Sequence, residues 1–87
     1  MIGKKNETRK YIVAAVYDNV LGAYIAPIPF DKEEKAIQYL KSAARSGGLI
    51  GTCAEDYRID MIGTWEPETG KLESCPIKTL AKATEFK

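Results

Sequence analysis

Apolar positions along this chain recur with two periods: near two residues in the stretches 10–30 and 57–74, and near 3.6 in the helical stretch between them. KYIVAAVYD (10–18) is rich in β-branched and aromatic residues and reads as a strand. Alternation puts Tyr11, Val13, Ala15 and Tyr17 on one side and Ile12, Ala14 and Val16 on the other. Both sides are apolar, which predicts a central strand. Asp18, Asn19 and Gly22 mark a turn. AYIAPIPF (23–30) follows as a second strand, and Pro27 and Pro29 place it at an edge or bend it away halfway.

DKEEKAIQYLKSAARSGG (31–48) is the clearest helix. Ala36, Ile37, Leu40, Ala43 and Ala44 form one apolar stripe at helical spacing. Asp31 and Glu34 are spaced as a capping box, Lys41 and Arg45 suit the last turn, and Gly47-Gly48 ends the helix. LIGTCAED (49–56) reads as a loop. YRIDMIGTW (57–65) is a third strand, with Tyr57, Ile59, Met61 and Trp65 predicted on one side and Arg58, Asp60, Ile62 and Thr64 on the other. Pro67, Glu68, Thr69 and Gly70 have the order that a four-residue hairpin loop built on a type I turn requires, and KLES (71–74) returns as a short fourth strand. Pro76 suits the first turn of a short closing helix or tail, with Ile77, Leu80, Ala81 and Phe86 to one side.

The order hairpin, helix, hairpin, tail implies an α+β fold: one antiparallel four-stranded sheet with a single main helix on one face. Residues 1–9 are expected to be a mobile basic arm and residues 10–87 one domain. An 87-residue chain buries about 60–65% of its unfolded surface, so a thin core is expected and a homodimer would help it.

Charge changes this picture through its distribution. The net charge is only +1, against a uniformly basic nucleic-acid binder. Residues 1–13 carry +3, residues 54–70 carry −4 and residues 71–87 carry +2. The ends are basic and the waist acidic. Cys53 and Cys75 lack metal-site spacing, and there is no histidine, so reduced thiols and no metal or other cofactor are expected. No apolar run is long enough to cross a membrane, and the start MIGKKNETRK lacks an apolar signal core.

The absence of histidine removes the commonest general base and every Cys–His or Ser–His nucleophile. Glu55, Asp56 and Asp60 read as a solvated acidic loop and strand edge, and GGLIGT (47–52) lacks the ending of a phosphate loop. No catalysis is expected. Two readings remain for Tyr11, Tyr17, Tyr57 and Trp65. Either they are core or a dimer interface, or they lie on the face the helix leaves bare and stack unpaired bases. In the second case Lys4, Lys5, Arg9, Lys10, Arg58 and Lys71 would hold phosphates. An apolar face of this size calls for some partner.

Several stretches together resemble a known family. They are Tyr17-Asp18, Gly22-Ala23-Tyr24, Pro29-Phe30, Glu55-Asp56-Tyr57, Ile62-Gly63, Trp65, Glu66, Thr69-Gly70 and the run from Leu80 to Phe86. Their order over residues 11–86 is similar to that of the small nonstructural protein of gokushoviruses, single-stranded-DNA bacteriophages of the Microviridae. The resemblance implies a single-stranded-DNA-binding accessory protein acting in viral genome replication or packaging in the cytoplasm of an infected bacterium. The alternative is an adaptor that binds a phage or host replication or capsid protein through the same apolar face.

Overall fold

The computed structural model describes residues 9–86. Strand β1 (Tyr11–Asp18) is followed by β2 (Ala23–Tyr24) and β3 (Ile28–Phe30), then helix α1 (Glu33–Arg45) and the one-turn α2 (Leu49–Thr52). A 3-10 turn (Ala54–Asp56) leads into β4 (Tyr57–Glu66), and β5 (Lys71–Lys82) ends in a second 3-10 turn (Ala83–Phe86). The strands form one antiparallel sheet in the order β2-β1-β4-β5, with β3 also paired to β1. The α+β architecture expected from the sequence is therefore present. Among the described residues it has five strands rather than four, because the expected second strand is interrupted at residues 25–27, which include Pro27, and so divides into β2 and β3 along one edge, with Pro29 inside β3. Neither piece needs an amide from Pro27 for its ladder.

The local signals act largely as expected. Asp18 Oδ1 accepts the amides of Val20 and Leu21 at 2.9 and 3.1 Å, and Gly22 closes that turn with φ 74°. Gly70 adopts φ 78° and donates its amide to the Glu66 carbonyl at 2.7 Å, which closes the β4–β5 hairpin. Gly47, at φ 85°, follows the α1 C-cap Ser46.

Three expectations change. The helix begins two residues late, with Lys32 at its N-cap and no side-chain capping bond, so Asp31 and Glu34 do not form a capping box. Glu33 instead accepts a 2.9 Å bond from Lys78 Nζ, tying the helix start to β5. The stretch 49–56, read as a loop, contains α2 and a 3-10 turn. The short return strand at 71–74 continues to Lys82, leaving no closing α-helix. Pro76 is tolerated there because β5 is an edge strand and Cys75, Pro76 and Ile77 have no register partner on β4.

One face of the sheet receives α1. Ala14, Val16, Tyr57, Ile59 and Ala81 pack there against Ala36, Leu40 and Ala44, with Ala54 and Ala83 closing the end. Six of these ten core residues are alanine, so the helix lies close on the strands and Leu40, Tyr57 and Ile59 supply most of the buried volume. Arg45 Nε donates to the Phe86 carbonyl at 3.2 Å and fastens the C-terminal turn to the helix.

The register of β4 decides which side chains face the other way. Val13 pairs with Gly63 but Ala14 pairs with Met61, so Ile62 is an extra residue on β4. Such a bulge reverses the alternation beyond it. Tyr57, Ile59 and Met61 share the helix side. Trp65, expected beside them, lies on the opposite face across from Tyr11 and Leu72. Gly63 follows the bulge, and a β-carbon there would collide with the Glu73 carbonyl. Gly63→Ala is expected to lower stability by about 1–3 kcal/mol, as overpacking does. A urea midpoint matching that of the unsubstituted protein would contradict this close approach of β4 and β5.

Candidate nucleic-acid interface

The sheet face away from α1, hereafter the open face, has two aromatic stations along β1. At one end Tyr11 and Trp65 pair across strands with ring centroids 5.5 Å apart. Both rings are partly exposed. Trp65 also borders a shallow apolar groove of about 260 Å³ with Val13, Pro27, Pro29 and Leu72. At the other end Tyr17 and Tyr24 meet edge to face at 4.9 Å. The guanidinium of Arg58 lies over the Tyr17 ring, 4.3 Å from its centre. Tyr17 lies six steps of extended strand from Tyr11, about 20 Å.

Beneath the second station sits Asp60, fully buried. Its carboxylate accepts from Tyr24 Oη at 2.6 Å, from Thr79 Oγ1 at 2.8 Å, and from Arg58 Nε at 3.0 and 3.1 Å to its two oxygens. Burying an ion pair is favourable only when the remaining lone pairs are satisfied. Here they are: among the described residues no buried side-chain nitrogen or oxygen lacks a partner. Asp60 thus fixes Tyr24 and Arg58, and through Arg58 it caps Tyr17. Burial pulls the Arg58 guanidinium down, but the bond and charge of Asp60 more than restore it, so its pKa rises. Burial, followed by the Asp60 hydrogen bond, also holds the Tyr24 phenol above its ordinary range.

The structure sorts the residues singled out from the sequence. Tyr11, Tyr17, Arg58 and Trp65 share the open face. Tyr57 does not: it is only 7% exposed in the core under α1, and its phenol is raised first by burial and then by Asp18 and Cys53. A buried ring offers no surface to a base. Tyr17 is also changed in role, since Arg58 occupies one face of its ring. Arg9 sits by the Tyr11 hydroxyl, which together with Glu68 raises its guanidinium. Lys10 lies 3.9 Å from Glu66, and Lys71 lies 3.5 Å from Glu73. Lys4 and Lys5, with the rest of the arm up to residue 8, lie outside the described residues.

Asp60, read from the sequence as part of a solvated acidic edge, is instead the buried anchor of the face. Tyr24, Thr79, Pro29, Leu72 and Lys82 were missed there. The spacing of Arg58 and Asp60 on one strand side was a usable signal; the partners on β2 and β5 required the register.

The model of the Phage ORF5 protein family matches residues 11–86, from the first residue of β1 to the last of the C-terminal turn. The chain belongs to that family. This identifies a bacteriophage protein. Comparison with curated proteins and with solved structures gives no match. No helix among the described residues is long and apolar enough to cross a membrane. Cys53 and Cys75 are both free thiols and partly buried.

Two outcomes follow from the Asp60 cluster. Asp60→Ala strands the Arg58 charge and the Tyr24 and Thr79 hydroxyls. Because Arg58 keeps about a third of its side chain in water, the expected loss is about 2–3 kcal/mol, below that of a fully buried pair. Denaturant unfolding measures it; a loss under about 0.5 kcal/mol, usual for a surface site, would contradict the burial. The unfolded Tyr24 phenol ionises at about pH 10, whereas the folded one keeps its proton to higher pH. The contribution is full below about pH 10 and is lost as pH rises through the folded value. Tyr24→Phe is expected to flatten that alkaline decline, and an unchanged slope would contradict it.

Proposed function

We propose that this phage protein binds single-stranded DNA on the open face of its sheet, as a non-enzymatic accessory factor in viral genome replication or packaging in the host cytoplasm. The observation that carries the reading is the bulge at Ile62. It brings Trp65 onto the same face as Tyr11, where two partly exposed rings stand about 20 Å along β1 from the Arg58–Tyr17 platform. Every base has a π-face, so stacking binds a strand without reading its sequence, at about 1–3 kcal/mol per base.

The charge layout limits the phosphate contribution. Lys71 faces Glu73 in an exposed pair worth about 0–1 kcal/mol, so a phosphate can displace that carboxylate cheaply; Lys10 lies 3.9 Å from Glu66, whose side chain is only 16% exposed. Arg58 is committed through Nε to Asp60. With two or three phosphate contacts, log affinity against log salt should fall with a slope of about −1.4 to −2.1.

A docked protein is the second reading, with a phage or host replication or capsid protein as partner, or a second copy of the chain. It is favoured by Val20, Leu21 and Leu49, exposed at 79%, 68% and 66% without any role in stacking. A protein partner that stays bound after nuclease treatment would favour it.

Oligonucleotide binding by fluorescence anisotropy tests the leading reading. Tyr11→Ala and Trp65→Ala should each weaken affinity about five- to 100-fold, in line with one lost stacking contact. Absence of binding at low ionic strength, or binding indifferent to both substitutions, would reject it.

A further inference from the structure

Beside the Arg58 platform, at the end of the sheet, lies a polar cleft of about 320 Å³ with a divided lining. The strands contribute cations: Arg58 from β4 and, directly across the ladder, Lys82 from β5. The 3-10 turn before β4 contributes carboxylates, Glu55 and Asp56. Asn19 from the β1–β2 turn and Thr84 from the C-terminal turn add neutral polar groups. The Asn19 amide donates to the Asp56 carbonyl at 2.9 Å, which fixes the β1–β2 turn against the carboxylate wall.

The cation side is preorganised. Arg58 gives its Nε to both oxygens of Asp60 and its guanidinium carbon sits 4.3 Å from the centre of the Tyr17 ring, so the side chain is held in place before any ligand arrives. A simple anion would meet the carboxylates as well as the cations. A simple cation would meet the reverse. A ligand negative at one end and rich in hydrogen-bond donors at the other satisfies both walls, and a nucleotide carrying an exocyclic amine is such a ligand. The volume lies at the lower end of the range for small-molecule sites, enough for one nucleotide rather than several.

We infer that this cleft takes one nucleotide of the bound strand, its phosphate on Arg58 and Lys82 and its exocyclic amine on Glu55 and Asp56, and so prefers cytosine to thymine. The inference rests on the single-stranded-DNA reading and adds a base preference to a face otherwise blind to sequence. A carboxylate accepts a hydrogen bond from the cytosine N4 amine; at the same place thymine presents the O4 acceptor, which a carboxylate repels. The two bases have equal ring size, so stacking alone separates them little.

Anisotropy titration with labelled oligo-dC and oligo-dT of equal length tests this on the full chain at low ionic strength. The expected dC preference is about fivefold, the lower end for one base-edge contact because the cleft is open to solvent. The double variant Glu55→Gln, Asp56→Asn should reduce the ratio to about one, whereas Lys82→Ala should weaken both oligonucleotides alike. Glu55 and Lys82 are exposed, and circular dichroism checks that the variants keep the fold. Equal binding of dC and dT, or a preference that survives the double variant, overturns the inference and leaves the binding reading standing. Binding of neither oligonucleotide overturns both.

Discussion

One extra residue on one strand controls the chemistry of this domain. Ile62 has no partner on β1, and the step it introduces turns β4 over halfway along its length. Before the step, β4 sends Tyr57 and Ile59 into the core beneath α1; after it, the same strand sends Trp65 out on the opposite face. A regular strand would have put all three under the helix and left the open face with Tyr11 and the Tyr17–Tyr24 pair. The bulge therefore divides the aromatic residues between stability and surface.

The second constraint is Asp60. A carboxylate with no exposure is a liability unless its lone pairs are filled, and Tyr24, Arg58 and Thr79 come from three different strands to fill them. That network pins the short edge strand β2 to the sheet where the proline-broken edge has few ladder bonds of its own. It also explains how a face without a covering helix holds its side chains in fixed orientations. The alanine-rich core brings α1 close but contributes little apolar volume per residue, so polar anchoring on the far side complements it.

Much of the architecture was legible in the sequence because its signals are local. Gly22, Gly47 and Gly70 occupy the left-handed positions their turns require, and the apolar stripe Ala36, Leu40, Ala44 is the buried face of α1. What was not legible depends on pairing between distant segments. Period-two alternation assumes an unbroken register, so Trp65 was assigned to the wrong side; Gly63, a glycine inside a strand pattern, was the one local hint of a bulge. Pro76 resembled a helix start because nothing nearby shows that its strand is an edge with an unpaired segment. Asp60 resembled a surface carboxylate because its three partners lie 2, 19 and 36 residues away. Membership of the Phage ORF5 protein family sets the biological context, and the open face supplies the chemistry argued from it.

Trp65 is the sole tryptophan, so its emission reports on this face without labelling. Titrating the unsubstituted protein with single-stranded oligonucleotide at low ionic strength should quench that emission to saturation, and added salt should reverse it. Emission that stays constant while an independent signal records the strand binding would contradict the account, because the DNA would then sit somewhere other than on the open face.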